Sequence, residues 1–367
     1  MSNMLSKEQI GLKRLNIPTH IDYAIFNKLE AEGWLRFGSH PFLPLAIWNY
    51  TQKCVFEKYW TEETTMARGL VVESNTGKII GRPLKKFFNF EEHYGPLPGG
   101  SYEIREKVDG SLIILFYYNN NWMFATKGSF VSEQSLEAKL IWNEKYSDVE
   151  LDKDYSYLFE VIYPNNRIVV DYGPRRDLVF LAKINTKTAE ERFPYQDAVE
   201  YPFSVPEFYG LHSGKENPIA LRLLEEPNKE GFVLRYHGSG LLLKLKFYEY
   251  LRLHKIMTGF TEKNIWESLM KGGRSELINI LERVPDEFYQ WADKIANELE
   301  KKFALIEHEA LVDFVNIPDG TRAEKAEYIK KTKHPHILFA MLDKKEHTEY
   351  VWKLIKPVVT TTYKIET

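Results

Sequence analysis

The chain reads EKVDGS at residues 106–111 and continues directly into LIIL at residues 112–115. A short apolar run after a glycine turn is typical of a buried β-strand. Lys107 and Asp109 therefore stand at the entrance to a predicted strand. Taken alone, the tetrad Lys107-Val108-Asp109-Gly110 also fits a solvated lysine before a turn, so its meaning depends on the rest of the chain.

Short β-rich runs separated by turn residues surround this stretch, from about residue 69 to residue 247. Alternation of this kind predicts antiparallel strands. Three hairpins are indicated, at residues 70–73 with 78–81, 112–118 with 122–126, and 232–236 with 241–247. Further strands are predicted at residues 157–163, 168–172 and 178–184.

Beyond about Leu253 the apolar spacing changes to three or four residues, which indicates helices. Thr321 followed by Glu324 is a capping box that predicts a helix start. An OB-fold barrel would need five short alternating strands here, and the pattern does not supply them. We therefore predict an α+β protein with an antiparallel-sheet domain at residues 1–254 and an all-α domain at residues 255–367.

Composition restricts the class of protein. The 367 residues include one cysteine, Cys54, which excludes an intrachain disulfide and a cysteine-based zinc cluster. A formal charge of −3 argues against binding nucleic acid by bulk charge, although it permits a local basic cleft. The sequence shows neither a signal-peptide core nor a membrane-spanning stretch, so we expect a cytoplasmic protein without membrane contact.

Four further residues have the chemistry that a nucleophilic lysine needs. Such a lysine loses its proton through nearby positive charge or burial. Lys244 and Lys246 lie two apart on a predicted strand and share one face, although lysines also protect ordinary edge strands. Glu160 and Glu230 stand in apolar strand contexts, where a carboxylate is costly unless it is paired or binds a metal. Together these residues suit the binding of Mg-ATP.

In order along the chain, these elements resemble the collinear motifs of the covalent nucleotidyltransferases. The matching segments are residues 107–110, 159–160, 230–231 and 244–246. Residues 67–69, 82–89, 127–129 and 164–169 are further similar to the RNA ligase 1 family, the tRNA-repair ligases of T-even bacteriophages. This second resemblance covers about residues 48–255.

The resemblance implies an antiparallel-sheet nucleotidyltransferase domain of the ATP-grasp-like ligase type that uses ATP and Mg²⁺ or Mn²⁺. Lys107 would carry AMP, and Glu160 and Glu230 would bind the metal, with Glu160 alternatively binding the ribose. Phe88 would stack near adenine, and Trp48 stands where the family has a nucleotide-contacting tyrosine. The other residues expected to contact the nucleotide are Arg68, Lys86, Asp109, Gly110, Lys127, Lys244, Lys246 and Tyr250.

By this resemblance the protein would be a monomeric ATP-dependent RNA ligase, acting through lysyl-AMP and an adenylylated RNA 5′ end. It would join RNA 5′-phosphate and 3′-hydroxyl ends, as in nicked tRNA. Three alternatives remain open: a DNA ligase, a capping-type nucleotidyltransferase, or an inactive protein that binds RNA ends. The first two normally carry an OB fold after the lysine motif.

Overall fold

The structure is a computed structural model that describes residues 17–93, 95–194, 201–213, 218–224 and 226–358. The chain divides into two compact units, one ending at Tyr250 and one beginning at Leu251. The first unit contains three sheets and the second contains helices, which confirms the α+β class.

The first sheet is antiparallel and has the strand order β1-β2-β3-β4. Its strands are β1 (Leu35–Ser39), β2 (Leu45–Tyr50), β3 (Arg68–Glu73) and β4 (Ile79–Gly81). Helix α1 (Tyr23–Ala31) precedes it, and the connection from β2 to β3 contains the short helices α2 (Gln52–Phe56) and α3 (Glu62–Met66). Phe26 of α1 and Leu70 of β3 pack in the same buried cluster.

Two five-stranded sheets follow, with all pairs antiparallel except that β5 runs parallel to β14. The second sheet has the order β11-β10-β9-β7-β8 and the third β12-β6-β13-β14-β5. The remaining strands are β5 (Phe88–Asn89), β6 (Ser101–Glu106), β7 (Ser111–Tyr118), β8 (Asn121–Thr126), β9 (Tyr155–Ile162), β10 (Asp177–Asn185), β11 (Glu191–Arg192), β12 (Phe208–Ser213), β13 (Gly231–Tyr236) and β14 (Leu242–Lys246).

The apolar run after Gly110 is continuous because β7 is buried on both faces. Ile113 and Leu115 pack with helix α4 (Glu133–Lys145), which covers one face of the second sheet. Ile114 lies in a separate cluster with residues of the first sheet on the opposite face. Successive side chains of a strand point to opposite faces, so a strand covered on both sides needs apolar residues at every position.

The three predicted hairpins are confirmed as β3–β4, β7–β8 and β13–β14. The predicted strand at residues 168–172 is wrong, because those residues form no strand. The backbone N–H groups of Val169 and Val170 instead donate to the carboxylate of Asp109, each at 2.9 Å. The carboxylate of Asp109 thus accepts the hydrogen bonds that a neighbouring strand would otherwise accept.

The second unit is helical, as predicted, and no strand follows β14 in the ranges that the structure describes. Its helices are α5 (Tyr248–Gly259), which begins in the first unit, α6 (Glu262–Ile280), α7 (Asp286–Val315), α8 (Arg322–Ile329), α9 (Pro335–Leu342) and α10 (Thr348–Leu354). Thr321 caps α8, and its side chain accepts from the Glu324 N–H as the capping box predicts. Across the described part of the chain, no helix combines the length and apolar character needed to cross a bilayer.

Candidate active site

Lys107 follows the end of β6 and is held from both its backbone and its side chain. Its backbone N–H donates to the carbonyl oxygen of Gly231 at 2.8 Å. Its Nζ donates to Oε2 of Glu230 at 2.7 Å. The side chain is only 21% exposed, so the amine is fixed at one position instead of moving freely in solvent.

Glu230 lies between two lysines. Its second oxygen, Oε1, is 2.7 Å from Nζ of Lys246, and the carboxylate is 2% exposed. Burial opposes the charge of Glu230, but Lys107 and Lys246 hold the pKa of this carboxyl below its usual value. Burial likewise opposes the charge of Lys107, yet Glu230 and Glu160 outweigh it and raise the lysine pKa. In this structure Lys107 is therefore a protonated ammonium group, held in place by Glu230.

Glycines allow the close approach of the strands beside these residues. Gly231 has a φ of 141°, and a Cβ there would lie 2.1 Å from the carbonyl oxygen of Leu245. A Cβ on Gly110 would lie 2.5 Å from the carbonyl oxygen of Val161. Side chains at either position would push apart the strands that carry the lysines and carboxylates, which explains the glycine after Asp109 and after Glu230.

Asp109 supports the lysine loop and does not line the cavity. Its carboxylate is 3% exposed and accepts from the Tyr250 hydroxyl at 2.7 Å, in addition to the two backbone N–H groups of residues 169 and 170. Its own backbone N–H donates to the Tyr172 hydroxyl at 2.9 Å. Burial, followed by Glu230, raises the pKa of Asp109. The sequence predicted a nucleotide contact here, whereas the structure shows internal hydrogen bonds.

A cavity of about 210 Å³ opens beside Lys107, between the second and third sheets. Glu160 of β9 lines one wall, and its carboxylate makes no hydrogen bond or ion pair to any residue that the structure describes. Burial raises the pKa of Glu160 to about 7, against the opposing effect of Lys107. An unoccupied carboxylate in such a wall suits a sugar hydroxyl or a cation.

Lys244 and Arg68 line the same cavity and meet at Phe87. Nζ of Lys244 is 4.9 Å from the ring centroid of Phe87, and Cζ of Arg68 is 5.3 Å from it. Burial, reinforced by Arg68, lowers the pKa of Lys244 to about 6. The positive groups around Lys244 repel one another, and an anion bound at this wall of the cavity would relieve that repulsion.

Two further lysines, Lys127 and Lys86, lie close enough to Arg68 to be affected by its charge. Burial lowers the pKa of Lys127, and Arg68 lowers it further. Burial also lowers the pKa of Lys86, where Glu92 opposes the effect and Arg68 and Lys127 add to it. The structure thus brings together Arg68, Lys86 and Lys127, which stand far apart in the sequence and which the resemblance assigns to the nucleotide.

Five of the predicted residues line the cavity, namely Arg68, Lys107, Glu160, Lys244 and Lys246. The other eight, which include the aromatic residues Trp48 and Phe88, lie outside this lining. Trp48 is 2% exposed, and its ring packs against Phe26 and Phe37 at centroid distances of 5.2 and 5.0 Å. Phe88 meets Trp60 at 5.5 Å, while its neighbour Phe87 lines the cavity. Successive side chains of an extended segment point to opposite faces, so Phe87 and Phe88 have different surroundings although they are neighbours in the sequence.

Tyr50 is a residue that the sequence reasoning missed. It ends β2, lies on the same face as Trp48 two positions later, and has its ring 5.3 Å from Nζ of Lys127. Burial raises the pKa of Tyr50, and Arg68 opposes that effect. Tyr50 is the last residue of β2 and its only partly exposed one, a difference that the residue types of this strand do not reveal.

A metal ion would meet two carboxylates here, that of Glu160 and that of Glu230, whose two oxygens each lie 2.7 Å from a lysine ammonium group. Among the described residues, no three histidine, cysteine, aspartate or glutamate side chains converge in a metal cluster. Mg²⁺ commonly keeps several waters and takes one or two protein carboxylates together with substrate phosphates. Glu160, in the cavity wall, and Glu230, which faces Lys107, fit that smaller donor set.

Comparison with known proteins identifies the family. A family model described as RNA ligase matches residues 66–251, just over half of the chain. A "Putative bifunctional polynucleotide kinase/RNA ligase" of Autographa californica nuclear polyhedrosis virus is 29% identical over 219 residues, covering 51% of this chain and 30% of that protein. A "Putative RNA ligase" of Thermovibrio ammonificans is 28% identical over 207 residues, covering 52% and 53%. The chain therefore spans only about a third to a half of these relatives.

Solved structures resemble the chain at lower sequence identity than these relatives do. An archaeal ATP-dependent RNA ligase gives a TM-score of 0.46 at 14% identity, covering 89% of each chain. An ATP-dependent DNA ligase of Aquifex aeolicus, itself named as putative, gives 0.46 at 13% identity, covering 89% of this chain and 100% of that one. Neither score bears on function, and the family is shown by the match to residues 66–251. The chain belongs to the RNA ligase family.

Proposed function

We propose that the protein is an ATP-dependent RNA ligase that carries AMP on Lys107. One observation supports this above the others: an anchored amine, 2.7 Å from a buried carboxylate, borders a cavity lined by Lys244, Lys246 and Arg68. An amine nucleophile beside a cluster of cations suits attack on a polyphosphate, since the cations stabilise the charge that develops on its oxygens.

In the first step Nζ of Lys107 bonds to the α-phosphorus of ATP while the bond to pyrophosphate breaks. The nitrogen must first lose a proton, and Oε2 of Glu230 is within direct hydrogen-bonding reach of it. Lys244 would gain a proton as it receives the anionic phosphates, because its pKa of about 6 leaves it largely neutral at pH 7. A divalent ion bound by Glu160 and Glu230 would supply further charge neutralisation.

Two transfers complete the proposed reaction. An oxygen of an RNA 5′-phosphate takes AMP from Lys107, which releases the amine. A 3′-hydroxyl then attacks that activated phosphate, and AMP leaves. We include nicked tRNA among the substrates because of the resemblance to the phage repair enzymes. Removal of the helical unit is the test of that extension.

Incubation with α-labelled ATP and Mg²⁺ or Mn²⁺ tests the lysine. We expect covalent label on the wild-type protein and none on Lys107→Ala, while Lys107→Ala still seals an RNA that already carries a 5′ AMP. Lys153→Ala is the control, since Lys153 lies 4.7 Å from the ring of Tyr117 near the far end of β7. Label on Lys107→Ala would refute the assignment.

The same assay separates the alternatives. A protein that only binds RNA ends would take up no label at all. A DNA ligase would transfer AMP to 5′-phosphorylated DNA and fail on RNA, and a capping-type enzyme would transfer its nucleotide to a 5′-diphosphate end. Comparing AMP transfer to RNA and DNA strands of the same sequence, at equal concentrations, would distinguish these alternatives in one experiment.

A further inference from the structure

This inference rests on the function proposed above. In the second step AMP passes from Lys107 to the RNA 5′-phosphate, and the geometry of that transfer determines where the RNA must lie. Displacement at phosphorus places the entering and leaving groups on opposite sides. Pyrophosphate leaves opposite Lys107 in the first step, and Lys107 is the leaving group in the second. The RNA 5′-phosphate must therefore enter from the side on which pyrophosphate departed.

Lys86 and Lys127, which the resemblance assigns to the nucleotide, both lie over aromatic rings. Nζ of Lys86 lies 4.2 Å from the ring centroid of Phe88 and 5.1 Å from that of Trp60. Trp60 in turn meets Tyr50 edge-on at a centroid distance of 5.2 Å. Aromatic side chains thus lie beside both of these lysines.

A layered stack lies next to Trp60. The rings of Trp34 and Tyr59 are nearly parallel, 4.3 Å apart at an angle of 13°. Nζ of Lys53 is 4.0 Å from the ring of Trp34. Two groups this close to one ring must occupy its opposite faces, so the order is Lys53, Trp34, Tyr59. The outer ring, Tyr59, is 37% exposed.

Local hydrogen bonds hold this stack in place. The carbonyl oxygen of Tyr59 accepts from Sγ of the buried Cys54 at 2.9 Å and from the hydroxyl of Thr64 at 3.1 Å. The connection that carries Tyr59 joins β2 to β3, which places its two ends at Tyr50 and Arg68. The ring therefore stands at a fixed position in the connection that runs from Tyr50 to Arg68, two residues near the proposed nucleotide site.

We propose that Trp34, Tyr59 and Trp60, which we call the aromatic ledge, bind the RNA strand that supplies the 5′-phosphate, with a nucleobase stacked on Tyr59. Aromatic platforms beside a cationic groove are the usual means of holding single-stranded nucleic acid, and stacking accepts any base. A base inside a duplex is already stacked on both faces, so the ledge selects an unpaired 5′ end.

The connection that carries most of the ledge has nearly balanced charge, unlike the group formed by Arg68, Lys86 and Lys127. Residues 51–67 carry Lys53 and Lys58 against Glu57, Glu62 and Glu63. A connection with this balance offers little attraction to phosphates. It suits contact with a base, whose π-face needs an aromatic partner instead of a positive charge.

When AMP is transferred, an oxygen of the RNA 5′-phosphate bonds to the α-phosphorus and the bond from phosphorus to Nζ of Lys107 breaks. The departing nitrogen takes a proton from water. The ledge contacts none of these atoms. Its role is to raise the occupancy of the 5′-phosphate. Loss of the Tyr59 ring therefore changes the concentration of RNA needed and leaves self-adenylylation unchanged.

The test is single-turnover transfer of AMP from pre-labelled protein to a 5′-phosphorylated oligoribonucleotide. We expect Tyr59→Ala to raise the half-saturating RNA concentration about tenfold, and Tyr59→Phe to stay near wild type. Tyr117→Ala is the matched control, because Tyr117 also meets a tryptophan, Trp122 at 5.2 Å, but near the far end of β7. An RNA lacking bases at its first nucleotides should bind wild-type protein as weakly as Tyr59→Ala binds normal RNA.

Two results would overturn the ledge while leaving the proposed function intact. One is normal RNA saturation of Tyr59→Ala. The other is a penalty for the abasic RNA that is equally large in Tyr59→Ala and in wild type, since additive effects mean that the ring and the base do not touch. Failure of wild-type protein to take up AMP would be seen before RNA is added, and would overturn both proposals together.

Discussion

Lys244 is a buried lysine that lowers the stability of the folded protein. Burial and the neighbouring cations lower its pKa to about 6, well below the value of a free lysine. Between that folded value and the unfolded value, the unfolded chain binds a proton that the folded chain does not. Lys244 therefore reduces stability below the unfolded pKa, and the reduction is largest at about pH 6 and lower.

Replacing Lys244 with methionine should remove this penalty. We expect Lys244→Met to raise the free energy of unfolding by roughly 1–3 kcal/mol at pH 7, with the gain shrinking as the pH approaches 10. The same variant should lose self-adenylylation. Thermal unfolding across pH 6 to pH 10 measures the first effect, and Lys153→Met is the control. A gain that does not change with pH would contradict the account.

Residues differed in how well the sequence predicted them. Glu230 was found because a charge in an apolar strand is conspicuous, Lys107 from the tetrad at residues 107–110, and Lys246 from its alternation with Lys244. The structure brings Glu230 within hydrogen-bonding distance of both lysines. Trp48 was assigned to the nucleotide but lies in the core, and Tyr50 was missed. Aromatic residues occur at both kinds of position, so only the direction of each side chain separates them.

Among the elements, residues 169–172 form a strap that joins the lysine loop to the loop before Glu230. Val169 and Val170 bind Asp109, as described above. The backbone N–H of Asp171 donates to Oδ1 of Asn228 at 2.6 Å, and Nδ2 of Asn228 donates back to the carbonyl oxygen of Asp171 at 2.7 Å. A single asparagine side chain thus joins the strap to the segment that leads into β13.

Removing that side chain should loosen the strap. Asn228 has a φ of 60°, a conformation that glycine also adopts without strain. We expect Asn228→Gly to lower the free energy of unfolding by about 1–3 kcal/mol through the loss of two hydrogen bonds. Denaturant titration measures this, and slower self-adenylylation should accompany it.

Asn120→Gly is the matched control for that variant. Asn120 has a φ of 62° in the β7–β8 turn and receives one long hydrogen bond, 3.4 Å, from Tyr117. Its replacement should leave stability nearly unchanged. If the two variants lose equal stability, the cause is the glycine backbone and not the strap.

The same elements show where local patterns suffice. Hairpins and the α8 helix start were predicted because their turns and caps are encoded by neighbouring residues. The strap was taken for a strand, because its β-branched residues carry the same local signal. What decided its structure was a carboxylate some sixty positions earlier in the chain, which no local window contains.

At the scale of the whole molecule, the boundary between the units crosses helix α5. Tyr250 belongs to the first unit and donates to Asp109, yet it stands inside a helix that continues to Gly259. A chain ending at Gly259 should therefore keep self-adenylylation, whereas one ending at Phe247 should lose much of it. Equal labelling of the two truncations would show that the Tyr250 hydrogen bond is dispensable.

The truncation ending at Gly259 also tests the proposed role of the helical unit in nicked tRNA repair. We expect it to seal generic single strands and to lose sealing of broken tRNA. Tyr250→Phe in the full chain is the companion variant, because it removes the Asp109 contact and keeps every helix. Equal loss of both substrates in the truncation would contradict a role in specificity.

Cys54 has a practical consequence for all of these experiments. It is the only cysteine in the sequence, and its side chain is fully buried beneath Tyr59. Thiol reagents therefore have no accessible native target, and a cysteine introduced at the exposed Phe56 would be labelled alone. A fluorophore attached there would stand a few residues from the ledge, so that the arrival of an RNA end could be followed in real time on the unmodified fold.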